Sequence, residues 1–142
     1  MPLRRPWMEI LLWVPVGLVP ITNGALRIFL YGNWIGEPQA SVVSSALDVT
    51  VVSAYACLAE RRWPVETWGG AVCRGCLWLA MTTLNHFGLG FWLFGMSLQT
   101  LVAKYYLHKG EMWSLVSLGV AVAPAFGRWK TRGAGRSPVL TN

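Results

Sequence analysis

Five polar residues interrupt long apolar runs in this chain: Asn23, Arg27, Asp48, Asn85 and His86. An ionisable side chain is costly in hydrocarbon, so it faces protein or a wet cavity and finds a partner. Counted from one common end of the runs, Arg27 lies roughly 6 Å deep and Asn23, Asp48 and His86 roughly 12 Å deep, at the helical rise per residue. Thr82, Ser114 and Ser117 fall at comparable depth. Asn23 and Arg27 are four apart and share a helix face. Asp48 is therefore the expected partner of Arg27, directly or through Asn23. Two chemistries follow. One is a small polar pocket or relay open to that end. The other is a buried, hydrogen-bonded pair that fixes helix packing.

The thiols are fewer than their chemistry requires. Cys57, Cys73 and Cys76 gather toward the opposite end of the runs, with Cys73 and Cys76 in a CRGC sequence. Thiol redox or metal binding needs such proximity. A tetrahedral site wants four ligands, and no fourth thiol or histidine is on that side. Leu77 stands where a c-type haem site has its histidine. Cysteine is also simply a small apolar residue. Two histidines, His86 and His108, are too few for a diheme four-helix cytochrome. There is no phosphate-binding glycine loop, HExxH or nucleophile elbow. No catalytic residue, metal or cofactor is expected, and the chain does not read as an enzyme.

The elements that must position these residues are membrane helices. Hydrophobic residues make up 54% of the 142-residue chain and charged residues 13%, with nine tryptophans. Soluble domains carry about 25% charged residues, so lipid is the expected solvent. Four apolar runs, at about residues 7–31, 40–59, 70–94 and 112–126, are spaced as four spans, although the last is short for the roughly 20 residues a crossing takes. Leu98, Leu101, Val102 and Tyr105 fall at helical spacing and predict a short amphipathic helix on the membrane surface between spans three and four. Phe87, Phe91 and Phe94 should form one stripe, with Trp78, Trp92, Tyr105 and Tyr106 nearby. Gly69, Gly70, Gly88, Gly90 and Gly95 invite close packing. The expected fold is an all-α membrane protein: one transmembrane domain over residues 1–142, a four-transmembrane-helix bundle, with a basic tail at 128–142.

Charge gives the orientation. The net charge of +6 would suggest nucleic acid in a soluble protein, but the basic residues flank apolar runs, so no nucleic-acid partner is expected. With four spans, Arg4, Arg5, Arg61, Arg62, Arg128, Lys130, Arg132 and Arg136 fall on one side, and Arg74 lies just inside it. Lys104 and Lys109 fall on the other, with Arg27 near its edge. That bias places both termini in the cytoplasm of a multi-pass protein of the bacterial inner membrane.

Three stretches, NGALR at 23–27, IGEPQAS at 35–41 and the segment from LWLAMTTLNHFG to GVAVAP at 77–124, carry a resemblance. Over about four fifths of its length the chain resembles a family of small uncharacterised bacterial four-helix integral membrane proteins. In that family's pattern a glutamate stands where this chain has Ile28, a histidine at Ser41, a glutamate at His86, a further histidine at Met96 and an acid at Lys104. Asn23 and Arg27 are kept. The resemblance implies a diverged member and no activity. The expected role is therefore structural or accessory, packing against other membrane subunits or a second copy. The alternative is a small oligomeric transporter or solute-binding membrane protein using Arg27, Asp48 and His86. A third reading is a membrane thiol oxidoreductase built on Cys73 and Cys76.

Overall fold

The computed structural model describes residues 6–109 and 111–133, and every regular element among them is helical. α1 (Pro6–Leu26) passes into a π-helical turn (Arg27–Tyr31) and a short α2 (Gly32–Ile35). α3 (Glu37–Arg62) and α4 (Trp68–Gly88) follow, α4 ending in a second π-helical turn (Leu89–Leu93). A short α5 (Leu98–Ala103) and a 3-10 turn (Leu107–Lys109) lead to α6 (Trp113–Gly133).

Local chemistry sets these limits. Gly36 adopts φ 82° between α2 and α3, a left-handed value that suits glycine, and Pro38 fits the first turn of α3. Thr67 caps α4 by accepting the Gly70 N–H at 3.0 Å, and Ser97 caps α5 by accepting the Thr100 N–H at 3.2 Å. Pro15 and Pro20 lie inside α1 and Pro124 inside α6, each leaving one helical hydrogen bond unmade.

α3 packs along α6 and α1, and α4 packs along α6 and α1, so the four long helices form a ring in the order α1, α3, α6, α4. Glycine brings the backbones of the ring together. A Cβ built on Gly75 falls well inside the Ala121 carbonyl oxygen, and one built on Gly127 meets the Ala56 carbonyl. The core between the helices holds Leu12, Val16, Val52, Ala56, Trp78 and Val120. Trp78 is fully buried, and its ring stacks on Tyr55 with centroids 6.2 Å apart.

α1 (through α2, Pro6–Ile35) and α3 are long and apolar enough to cross a membrane. Several expectations are refined. The last helix runs to Gly133, so residues 128–133 are helix and not tail, because Arg128 finds acceptors in the α3–α4 loop. Residues 134–142, Arg4, Arg5 and Arg136 lie outside the described residues. The short helix expected between the third and fourth apolar runs is present as α5, but it ends before Tyr105. The aromatic stripe divides: Trp78 enters the core, Phe87 is half-buried, and Phe91, Trp92 and Phe94 face outward from the π-helical end of α4.

Candidate functional site

Arg27, Asp48, Asn85 and His86 all line one cleft of about 590 Å³. That size falls within the range of small-molecule sites. α3 contributes Ser41, Ser44, Ser45 and Asp48 to its floor, and α4 contributes Thr82, Asn85 and His86. Its walls are apolar, with Pro20, Ile21 and Ile28 on α1 and its π turn, and Leu89 and Phe94 beyond α4. Ser41, Ser44, Asp48, Thr82 and Val116 are buried. The lining residues that are exposed, Ile21, Ala25, Ile28, Phe29 and Phe94, all belong to the α1 and α4 edges. The mouth of the cleft therefore opens between those two helices.

Asn23 organises the floor. Its Nδ2 donates to Asp48 Oδ1 at 2.8 Å, to the Ser44 carbonyl at 2.8 Å and to Ser44 Oγ at 3.0 Å. Its Oδ1 accepts from the Tyr31 hydroxyl at 3.0 Å. The expected Arg27–Asp48 ion pair is not formed. The amide of Asn23 takes the carboxylate, and the Arg27 guanidinium reaches outward to Glu37 at 3.7 Å. The reason is geometric. α1 winds into a π turn at Arg27, which carries the guanidinium toward the start of α3 and away from the deeper Asp48.

His86 is held by rings. It stacks on Trp113 with centroids 4.4 Å apart and meets Tyr105 and Phe87 edge-on. Its Nε2 lies 3.5 Å from the Leu101 carbonyl, and Lys104 binds Glu111 at 2.7 Å beside it. Below the cleft, Trp13 Nε1 donates to Thr82 Oγ1 at 2.9 Å and ties α1 to α4. Ser117 is buried on α6, and Ser114 donates to the Tyr105 carbonyl at 2.7 Å; neither lines the cleft.

Ile28, Ser41, Met96 and Lys104 also line this cleft.

The cysteines do not assemble. Cys73 and Cys76 are exposed on α4 and Cys57 is half-buried on α3, which lies across the ring. No group of three His, Cys, Asp or Glu able to hold a metal ion occurs among the described residues.

The strongest charge cluster escaped sequence reasoning. Arg74 grips Glu9 through two bonds, Nε to Oε2 at 2.7 Å and Nη2 to Oε1 at 2.8 Å. Its Nη1 donates to Glu60 Oε1 at 2.6 Å and to the Trp63 carbonyl at 3.2 Å. Glu60 Oε2 accepts the Val65 N–H at 3.0 Å. Residual exposures are 5% for Glu9, 3% for Glu60 and 3% for Arg74. Arg128 binds the carbonyls of Val65 and Glu66 and lies over the Trp68 ring. The start of α1, the end of α3, the start of α4 and the end of α6 thus meet at one end of the bundle. The sequence held a signal for this: Glu9 and Arg74 lie within a few residues of the same end of the first and third runs, and Glu60 directly follows the second.

No protein-family model, curated protein or solved structure matches the chain.

Proposed function

We propose that the chain is a four-span protein of a bacterial inner membrane, with both termini cytoplasmic, whose outward-side cleft receives an amphipathic molecule. The cleft carries the reading: a polar floor of Asp48, Asn85 and Ser41, apolar walls, and a mouth between two helices that would face lipid. α4 and α6 have 21 residues each, about 31 Å of helix. The outward stripe of α6, Leu115, Leu118, Val122, Phe126 and Trp129, is apolar throughout and suits lipid. Arg74 is neutralised inside the ring, so it does not burden the lipid face of α4. Arg61, Arg62 and Arg128 lie at the ring end opposite the cleft, which is the cytoplasmic end by the positive-inside rule.

Topology is tested by cysteine labelling in a variant lacking the three native thiols. Sites near Arg62 are expected to label from the cytoplasm, and sites near Gln39 and Lys109 from the opposite side. Arg62 and Lys109 labelling from the same side would remove the four-span reading.

The cleft is tested by native mass spectrometry after mild-detergent purification. A bound amphiphile at fixed stoichiometry is expected in the native chain and lost in Gly24→Leu. Gly24 lines the cleft, and a Cβ there meets nothing within 4 Å, so a larger side chain starts in open space and occupies the part of the cleft that lies over α1.

A second reading, an accessory subunit, draws on Phe91, Trp92 and Phe94, which project beside the cleft mouth, Trp92 with 85% of its surface exposed. Stoichiometric recovery with unrelated membrane subunits in the same purification, with no bound amphiphile, would favour it.

A further inference from the structure

We propose that the occupant of the cleft is an anionic phospholipid of the outward leaflet, its phosphate held by Arg27 and one acyl chain laid over Gly24. This rests on the cleft reading above and adds the ligand class.

The charge of the mouth decides the headgroup. Of the two cationic side chains that line the cleft, Lys104 is neutralised by Glu111 at 2.7 Å. Arg27 is not comparably satisfied. Its counter-ion Glu37 is 3.7 Å away and 70% exposed, and its Nε is buried with no hydrogen-bond acceptor. The one remaining carboxylate, Asp48, lies on the floor with 4% of its surface exposed and already accepts from Asn23. An incoming head therefore meets an underused guanidinium, a group whose planar donors suit phosphate oxygens.

The apolar path starts from the same residue and runs inward. Gly24 is three residues before Arg27, and Ile21 and Pro20 continue along that side of α1 toward the bilayer centre; all three line the cleft. The space over Gly24 is open, so a chain can lie against the helix backbone there. Leu89 and Phe94 form the facing wall. The order from outside to inside is cation, then glycine, then aliphatic residues. That is the order a phospholipid presents: phosphate, then acyl chain. A soluble phosphate ester would use Arg27 but leave the apolar path empty.

The full-length protein is reconstituted with equal amounts of phosphatidylglycerol and phosphatidylcholine, extracted in mild detergent, and its retained lipids are weighed by native mass spectrometry. Both lipids offer a phosphate, but phosphatidylcholine also brings a cation beside Arg27, so the native chain is expected to retain phosphatidylglycerol over phosphatidylcholine by about tenfold. Arg27→Gln should bring the two lipids to near equality with lipid still bound, and Arg27→Lys should keep a preference. Gly24→Leu should release both lipids. Inorganic phosphate alone should displace neither. Equal retention in the native chain, a preference that survives Arg27→Gln, or displacement by inorganic phosphate overturns the ligand class and leaves the cleft standing. Unchanged lipid in Gly24→Leu overturns the cleft itself. Circular dichroism confirms that each variant is folded, and Arg27 has no ion-pair partner except the exposed Glu37 among the described residues.

Discussion

Arg74→Met is expected to cost about 3–5 kcal/mol of stability, the usual effect of stripping one partner from a buried ion pair. Among the described residues, the substitution removes the only cation that pairs with Glu9 and Glu60 and leaves two carboxylates, each at most 5% exposed, without their strongest donors. Denaturant titration in detergent micelles, followed by tryptophan fluorescence, reads the loss. The sharper comparison is the triple variant Glu9→Gln, Glu60→Gln, Arg74→Met. With no stranded charge it should recover much of the stability, since neutral replacements of buried ion clusters are often well tolerated. If Arg74→Met alone matches the native chain, the cluster is not what holds that end of the bundle together.

Gly75→Ala is the second large effect, and here two forces oppose each other. Alanine is the better helix former by about 1 kcal/mol. The added methyl lands on the Ala121 carbonyl, a backbone atom that cannot rotate aside, and forced overpacking costs about 1–3 kcal/mol or more. Steric conflict should win, with α4 and α6 pushed apart and the unfolding midpoint lowered. Gly24→Ala is the internal control. It gains the same propensity into open space and should leave stability equal or slightly higher. Equal midpoints for the two alanine variants would show that α4 and α6 do not approach as closely as Gly75 implies.

The helical class was legible from composition, and the number of long helices from the spacing of apolar runs. The helix that runs to Gly133 was not, because Arg128 looks like the first residue of a tail until its acceptors on the α3–α4 loop are known. The polar layer was legible too: Asn23 and Asp48 meet, and Arg27, Asn85 and His86 line the same cleft. The identity of Asp48's partner was not, since the π-helical turn that begins at Arg27 rotates its side chain away from the regular spacing that the counting assumed. Glycine was misjudged for a related reason. Of the five that stood out by clustering, Gly70 and Gly90 are tightly packed against Val65 and Leu101 side chains, and Gly69, Gly88 and Gly95 are not; the close approaches to the backbone of another helix are at Gly75 and Gly127. Nothing local marks a glycine whose neighbour is some 46 residues further along the chain.

The Glu9–Arg74 contact also has a timetable. The two residues are separated by 65 positions. At about 5–20 residues per second of synthesis, Arg74 emerges roughly 3–13 s after Glu9. For that interval α1 holds an acidic group whose guanidinium does not yet exist, and Glu60 joins it before Arg74 is made. At this stage Glu9 and Glu60 are both made, and the guanidinium that binds them in the finished fold is not. Synthesis of α4 closes the cluster, and a chain interrupted between Glu60 and Arg74 lacks the side chain that ties α1 to the end of α3 there.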